Sequence, residues 1–333
     1  MMTPLSVLDL SFIREDGSVR EALLESRDMA IRAEALGFKR YWVAEHHAMP
    51  GIASAATSVV IGHLAAATRH MRIGAGGIML PNHAPLTIAE QFGTLEALFP
   101  GRIDLGLGRA PGSDQRTLRA LRRTGDSADR FPEDVLELMA YLSPEGDAGG
   151  VVATPGAGSN VPVWLLGSSL FSAQLAAALG LPFAFASHFA PQMMEQAVHL
   201  YRNTFRPSEH LAAPYVMLAM NVIAADTAEE ADFLATSRRL FVAALRQGRP
   251  GRVLPPVPPE DLPWSREIST QLDTVQATSL IGTREQVAEG MKDFMTRHAP
   301  DEVMVSVPIY DPGARLHGLT RAREAWTLSG YAT

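Results

Sequence analysis

Several features that identify particular classes of protein are missing from this sequence. It has no cysteine among its 333 residues, which excludes disulfides and thiolate metal sites and favours a reducing compartment. It has no long run of Lys or Arg, and its net charge of −7 argues against nucleic acid or a membrane surface as a partner. No apolar run approaches the roughly 18 residues that span a bilayer. The first residues lack the basic start and apolar core of a signal peptide, so we expect a cytoplasmic protein.

Hydrophobic residues make up 47% of the chain, and short apolar segments alternate with longer segments of helical periodicity. The predicted strands cover residues 5–10, 40–44, 71–76, 103–108, 163–166, 183–186, 215–224 and 302–307. The predicted helices cover residues 20–36, 54–68, 86–99, 170–179, 192–205, 228–247 and 284–298. This alternation is typical of an α/β protein with parallel strands.

The number of strands selects one α/β architecture over another. Strands separated by helices imply right-handed crossovers, and eight of them predict a (β/α)8 TIM barrel. Such a barrel takes about 250 residues or more, so residues 1–333 are expected to form a single domain. A doubly wound open sheet is the alternative, but the strand count favours the barrel.

Two stretches interrupt the alternation of strands and helices. Residues 146–162 are rich in Gly, Ala and Pro, and residues 248–263 contain six prolines. Proline on this scale is incompatible with a helix interior, and a long irregular segment in a compact domain is typical of a lid. We therefore predict a lid insertion within residues 248–282.

Polar or glycine-rich residues follow four consecutive predicted strands. These residues are Glu45-His46-His47, the glycines of 74–77, the segment 108–112 that includes Arg109, and Gly167-Ser168-Ser169. The active site of a TIM barrel lies at the carboxyl ends of its strands. The four segments are therefore expected to meet in one site.

The histidine pair suggests proton transfer rather than metal binding. Adjacent residues of an extended chain point to opposite faces, so His46 and His47 cannot easily share an ion, and we expect no metal. Histidine changes charge near neutral pH, which suits a general acid or base or a substrate contact. The alternatives are a structural histidine bonded to a backbone carbonyl and a metal hydrolase that uses one of the two.

The glycines and Arg109 suggest a flat anionic ligand. Neither 74–77 nor 106–112 has the spacing of a dinucleotide fingerprint, but bare backbone permits close approach of a flat ring. Ser168 or Ser169 is expected to cap the helix that follows, where free N–H groups and Arg109 would attract a phosphate. An ordinary N-cap serine and a surface arginine are the alternative.

Five segments together resemble the bacterial-luciferase-like flavin-dependent monooxygenases. They are GFKRYWVAEHH (37–47), RIGAGGIMLPNHAPLTIAEQFGTLEALFPGRIDLGLGRAPG (72–112), VPVWLLGSS (161–169), GLPFAF (180–185) and SLIGTREQVAEGM (279–291). The resemblance implies a (β/α)8 barrel that binds FMN and oxidises a small organic substrate with O2. It also implies a two-component system, in which a separate NAD(P)H:flavin reductase supplies FMNH2, and a homodimer, which we expect to form through the outer helices 54–68 and 86–99.

The resemblance assigns a role to individual residues. By position, His46 is the catalytic histidine with the acid Glu45 before it, and Gly76 and Gly77 are joined by a cis peptide beneath the flavin ring. The remaining cofactor-binding residues that the resemblance implies are Glu90, Arg109, Arg130, Ser168 and, through its backbone N–H, Ser169.

Three positions depart from luciferase itself. Gly108 replaces its reactive cysteine, Gly167 its acid before the phosphate serine, and Phe171 its phosphate threonine. These departures argue against light emission and against a luciferase aldehyde substrate. Because some relatives on this barrel use a deazaflavin, a deazaflavin-dependent oxidoreductase is an alternative, as is a non-catalytic flavin-binding protein.

Overall fold

The computed structural model of the chain describes residues 2–109, 115–124, 126–264, 272 and 278–332. Its strands are β1 (Leu5–Asp9), β2 (Arg40–Val43), β3 (Arg72–Met79), β4 (Ile103–Gly108), β5 (Asp147–Ala148), β6 (Val151–Val152), β7 (Val163–Gly167), β8 (Phe183–Phe185), β9 (Val216–Ala225), β10 (Ser279–Thr283) and β11 (Glu302–Ser306). Eight of them run in the order β9-β11-β1-β2-β3-β4-β7-β8, and β8 pairs again with β9. All of these pairings are parallel, so the predicted (β/α)8 barrel is confirmed.

Helices follow the barrel strands, and most of them lie where the periodicity predicts. They are α1 (Val19–Ala35), α2 (Thr57–Ala67), α3 (Pro85–Leu98), α4 (Gln115–Ala120), α5 (Phe131–Leu142), α6 (Leu170–Leu179), α7 (Met194–Thr204), α8 (Ala228–Arg246), α9 (Arg284–His298) and α10 (Pro312–Leu328). The prediction lacks α4, α5 and α10. For α10 the signal was present, because Asp311 accepts a hydrogen bond from the N–H of Ala314 and a proline occupies the first turn. None of the helices within the described ranges is long and apolar enough to cross a membrane.

The core has two layers because alternate residues of each strand face opposite sides of the barrel wall. The larger layer lies between the strands and the surrounding helices. The smaller layer fills the barrel interior, where the Trp42 and Trp164 rings meet edge to face with centroids 5.2 Å apart. It consists of Leu8, Trp42, Ala44, Trp164, Ala184, Met217, Ala219 and Met304.

A buried ionic cluster lies at the amino ends of the strands, opposite the predicted site. Arg40 donates to Asp104 over 2.7 Å and to both carboxylate oxygens of Glu302 over 2.7 and 3.0 Å. Trp42 Nε1 donates to Asp104 and the Tyr215 hydroxyl donates to Glu302. We call Arg40, Asp104 and Glu302 the basal cluster. At this end of a barrel such residues serve stability rather than catalysis.

The two interrupting stretches differ in structure. Within 146–162, β5 and β6 form a short antiparallel hairpin. The described part of the predicted lid, 248–264, is tied to the chain after β1, since the Val253 N–H donates to the Ile13 carbonyl over 3.0 Å and the Val253 carbonyl accepts from Glu15. Residues 265–271 and 273–277 of that lid lie outside the described residues.

The predicted lid range also needs a correction at its end. Residues 279–283 form β10, which pairs in parallel with residues 221–225 of β9. The last residues of the predicted range 248–282 therefore belong to the sheet, and the insertion ends before Ser279. Strand β10 was not predicted, because its sequence has neither an apolar run nor a clear alternation of polar and apolar residues. Most of its side chains are only half-buried.

Candidate active site

A cavity of about 660 Å³ opens at the carboxyl ends of the barrel strands. Residues in the carboxyl-terminal half of β3, and at or just after the ends of β2, β4 and β7, line it, so the structure brings the four predicted segments together. Apart from residues 110–112, which lie outside the described part of the chain, each segment contributes to this wall. The cavity also has apolar walls, formed by Leu8, Leu10, Phe12, Met49, Ile52, Phe241, Val242, Leu245 and Val253.

The Gly76-Gly77 pair presents bare backbone to the cavity. The bond between them is cis, which confirms the prediction for this peptide. A Cβ on Gly76 would lie 2.9 Å from Leu8 Cδ1, and one on Gly77 would lie 2.6 Å from the carbonyl oxygen of Gly106. Side chains are thus excluded by what packs behind the pair, and the surface left in front suits a flat ring.

Glu45 lies behind the cavity wall rather than in it. Its side chain is 1% exposed and accepts from His47 Nε2 over 2.7 Å, from His83 Nε2 over 2.9 and 3.0 Å, and from the Met79 N–H over 3.2 Å. Burial raises the pKa of Glu45, but the hydrogen bonds and charges of these partners outweigh it and lower the pKa below its ordinary value. Glu45 is therefore an ionised anchor for the chain around it, and its role as a catalytic residue stays a prediction.

The same three side chains are the group among the described residues that could hold a metal ion. The ligand atoms of Glu45, His47 and His83 lie within 4.8 Å of one another. An ionised carboxylate can only accept hydrogen bonds, so each Nε2 in contact with it carries a proton. The three groups satisfy one another without an ion, and the expectation of no metal stays a prediction.

His46 points the other way, into the cavity. Its Nδ1 is buried without a hydrogen-bond partner, so the alternative of a histidine that bonds a backbone carbonyl through this atom is not supported. Burial lowers the pKa of His46, with a further contribution from His47 against the opposing effect of Glu45. The imidazole is therefore neutral at pH 7, and its Nδ1 has no hydrogen-bond partner among the described residues.

The residues that follow β4 and β7 form a polar end of the cavity. The Arg109 guanidinium lies 4.2 Å above the centroid of the Phe171 ring, which fixes it beside the first turn of α6. Ser169 is the N-cap of α6 and its side chain makes no capping bond. With Ser168 also in the wall, these groups form a positively polarised end suited to a phosphate.

Two predicted cofactor residues do not reach the cavity. Glu90 is half-buried on α3 and Arg130 is the N-cap residue of α5, and neither is part of the cavity wall. The Arg130 side chain is 72% exposed and lies 3.7 Å from Asp134. The structure places Glu90 on α3 outside the barrel and Arg130 in solvent, so it does not bring them to the cavity, and their role in cofactor binding stays a prediction.

Sequence reasoning missed several polar residues of the cavity wall, among them His188, Asn221 and Arg238. The carbonyl of His188 accepts from Asn221 Nδ2 over 2.6 Å, while its Nδ1 is buried without a partner. Burial lowers the pKa of His188 to about 3, and the charges of Arg238 and His46 add to the effect. His188 follows the end of β8, so the strand-end rule used for the other four segments would have found it.

Solved structures with the same fold include flavin and deazaflavin enzymes. One is the oxygenating constituent of 3,6-diketocamphane monooxygenase from Pseudomonas putida in complex with FMN, with a TM-score of 0.74, 17% identity and coverage of 100% of this chain and 99% of the other. Another is an F420-dependent secondary alcohol dehydrogenase, with a TM-score of 0.69, 17% identity and coverage of 97% and 98%. At this identity the likeness shows the fold alone.

Closer similarity comes from three further proteins. A luciferase-like monooxygenase of Escherichia coli K12 is 53% identical over 96% of both chains, and an N-acetyl-S-alkylcysteine monooxygenase of Bacillus subtilis is 34% identical over 92% of this chain and 93% of its own. The crystal structure of apo-MsnO8 has a TM-score of 0.85 and 32% identity, covering 98% and 99% of the two chains. The profile of the luciferase-like monooxygenases matches residues 3–300. Together with the barrel, these matches establish that the chain is a member of the luciferase-like monooxygenase family.

Proposed function

We propose that the protein is a two-component monooxygenase, which takes FMNH2 from a separate NAD(P)H:flavin reductase and inserts one atom of O2 into a small organic substrate. The observation that carries the proposal is one cavity with a bare-backbone face at Gly76-Gly77, a phosphate-binding end at Arg109, and the unpartnered His46. The family membership supports it. The same proposal includes a homodimer through α2 and α3, whose exposed Val59 and Leu98 would be covered.

The residues present fit a flavin mononucleotide. The bare face at Gly76 and Gly77 would lie against the ring system, and Arg109, Ser168 and the first backbone N–H groups of α6 would hold the phosphate. His46, whose buried Nδ1 has no hydrogen-bond partner among the described residues, lines the same cavity.

Each part of the site has a distinct role in the proposed reaction. When bound, reduced flavin supplies the two electrons that split O2 between the product and water. His46, neutral at pH 7, takes or returns a proton at Nδ1. The apolar walls, which include Val253, exclude bulk water from the cavity. Glu45 positions the chain after β2 through its bonds to His47, His83 and Met79, so that His46 keeps its direction.

The source of electrons tests the proposal. Mixed with FMN and NADH or NADPH alone, the protein is expected to leave the nicotinamide unoxidised, because segments 74–77 and 106–112 lack a dinucleotide fingerprint. With a flavin reductase added, O2 uptake should become dependent on the protein and its substrate. Nicotinamide oxidation at a rate proportional to the protein, without a reductase, would show a self-sufficient enzyme instead.

Arg109→Ala is expected to weaken FMN binding roughly 10- to 150-fold, which corresponds to the loss of a charge-assisted hydrogen bond of about 1.5–3 kcal/mol. Fluorescence quenching of FMN on titration with protein measures this. Arg27→Ala is the matched control, since Arg27 pairs with Asp28 at the surface and is not part of the cavity wall, so its removal should leave the affinity unchanged. Equal losses in the two variants would contradict the assignment of Arg109.

A deazaflavin-dependent hydride transfer is the second candidate, and the fold shared with an F420-dependent dehydrogenase favours it. Parallel titration with FMN and with coenzyme F420 separates the two candidates. We expect the protein to bind FMN, since two of its relatives, at 53% and 34% identity, are monooxygenases.

A further inference from the structure

Among the residues that the structure describes, four arginines line the cavity, and three of them have an evident partner or task. Arg14 pairs with Glu25 over 3.0 Å, and Arg315 pairs with Asp9. Arg109 is held against Phe171 at the proposed phosphate end. The fourth, Arg238, has no such explanation.

Arg238 is a buried cation in the cavity wall. It is 8% exposed on α8, and its Nη2 lies 3.4 Å from the carbonyl of His188, a long contact. Its Nη1 is buried and has no hydrogen-bond partner among the described residues. The next residue, Arg239, is paired with Asp232 over 2.7 Å, whereas none of the described carboxylates pairs with Arg238.

Such an arrangement is costly unless a ligand completes it. Burial lowers the pKa of Arg238 to about 10, and the charge of Arg239 contributes, so the guanidinium is still charged at pH 7. An unpaired charge in an apolar setting is strongly disfavoured. The imidazoles of His188, whose carbonyl contacts Arg238, and of His46, which lies in the same cavity wall, offer no negative charge.

The position of Arg238 sets it apart from the proposed phosphate end. The phosphate end follows β4 and β7, whereas α8 follows β9, and β8 lies between β7 and β9 in the barrel. The residues one turn and two turns further along α8, Phe241, Val242 and Leu245, form apolar wall. A ligand that meets both features has one anionic group attached to an apolar body.

We propose that Arg238 binds the carboxylate of the substrate, so that the enzyme acts on small organic acids with an apolar body rather than on neutral molecules. The guanidinium matches a carboxylate in geometry as well as charge, since its planar N–H donors reach both oxygens. The inference rests on the proposed function, because it takes the rest of the cavity as the flavin site. It narrows that function to one class of substrate.

The test compares the binding of acids with that of their uncharged amides. N-acetyl-S-benzylcysteine, 5-phenylpentanoate and the primary amide of each are titrated calorimetrically into the protein, with and without oxidised FMN. We expect the wild-type protein to bind at least one acid tenfold or more tightly than its amide. In Arg238→Met the acid should lose about tenfold or more in affinity, while the amide is unaffected.

Two further variants and one independent measurement make every result decisive. Arg238→Lys keeps the charge and should retain part of the preference for the acid, whereas Arg239→Met, which removes the paired neighbour, should retain all of it. FMN affinity is measured on every variant. If FMN binds but acids bind no better than amides, or if Arg238→Met keeps the preference, the inference is wrong. If FMN affinity falls in Arg238→Met while the preference persists, Arg238 serves the flavin instead. If the wild-type protein does not bind FMN, the proposed function fails separately.

Discussion

Replacing His46 by alanine is expected to lower substrate oxidation by about 100-fold or more while FMN affinity stays nearly unchanged. Proton transfer by a positioned side chain contributes roughly 10²–10⁴-fold to a rate. His46, whose buried Nδ1 has no hydrogen-bond partner among the described residues, lies in the cavity wall just after β2. Flavin affinity should survive, because the backbone at Gly76-Gly77 and the guanidinium of Arg109 are untouched. Product formation per reduced FMN consumed, measured with a flavin reductase present, gives the result.

The pH dependence separates proton transfer from a packing role. Burial places the pKa of His46 below 6.5, so the neutral form dominates at pH 7 and is lost as the pH falls through that lowered pKa. The wild-type rate should therefore decline on the acid side, and His46→Gln should lack this decline. His70→Ala, at an exposed position, is the control and should behave as the wild-type protein. A His46→Ala variant with normal coupled turnover would leave this residue a structural role only.

Because successive side chains of an extended segment point to opposite faces, the sequence was enough to place His46 and His47 on different sides. It was not enough to show what Glu45 contacts. The rule that neighbours face opposite sides puts His46 and His47 on different sides of the wall, as the structure shows. The burial of Glu45 depends on His83, which lies 38 residues further along the chain. No local pattern reveals that contact. Arg238 was missed for a related reason: its position in the cavity depends on how α8 lies over the barrel mouth.

The fold was predictable where buried apolar residues recur along the sequence at the spacing of a helix or a strand. Strand β4 and helices α6 and α9 have the predicted bounds, because each is bordered by glycine, proline or a capping residue and has a clear apolar face. The basal cluster could not be predicted from residue types alone. Its three members come from β2, β4 and β11, up to 262 residues apart, and only the closure of the barrel brings them to one point.

Substituting Arg40 by methionine is expected to lower the free energy of unfolding by about 3–5 kcal/mol, the typical cost of removing one partner from a buried ion pair. The Arg40 side chain is 7% exposed, and those of Asp104 and Glu302 are 1% and 0% exposed. Removing the guanidinium leaves both carboxylates in place, and Trp42, Tyr215 and Arg72 satisfy only part of their hydrogen-bonding capacity. The contact of the guanidinium with the Trp164 ring at 4.7 Å is lost as well.

Urea unfolding followed by tryptophan fluorescence measures this change. Arg27→Met is the matched control, because Arg27 pairs with Asp28 over 2.8 Å at the surface and exposed pairs contribute about 1 kcal/mol or less. Adding Glu302→Gln to Arg40→Met removes the carboxylate charge that has lost its ion-pair partner, and should recover part of the stability if charge rather than packing dominates. Asp104 keeps its ion pair with Arg72 over 2.7 Å. Since the basal cluster lies at the opposite end of the barrel from the cavity, the FMN affinity of folded Arg40→Met should equal that of the wild-type protein. A loss of stability no greater than in Arg27→Met would mean that the barrel tolerates a buried Glu302 without its ion-pair partner, which would contradict the role given to Arg40.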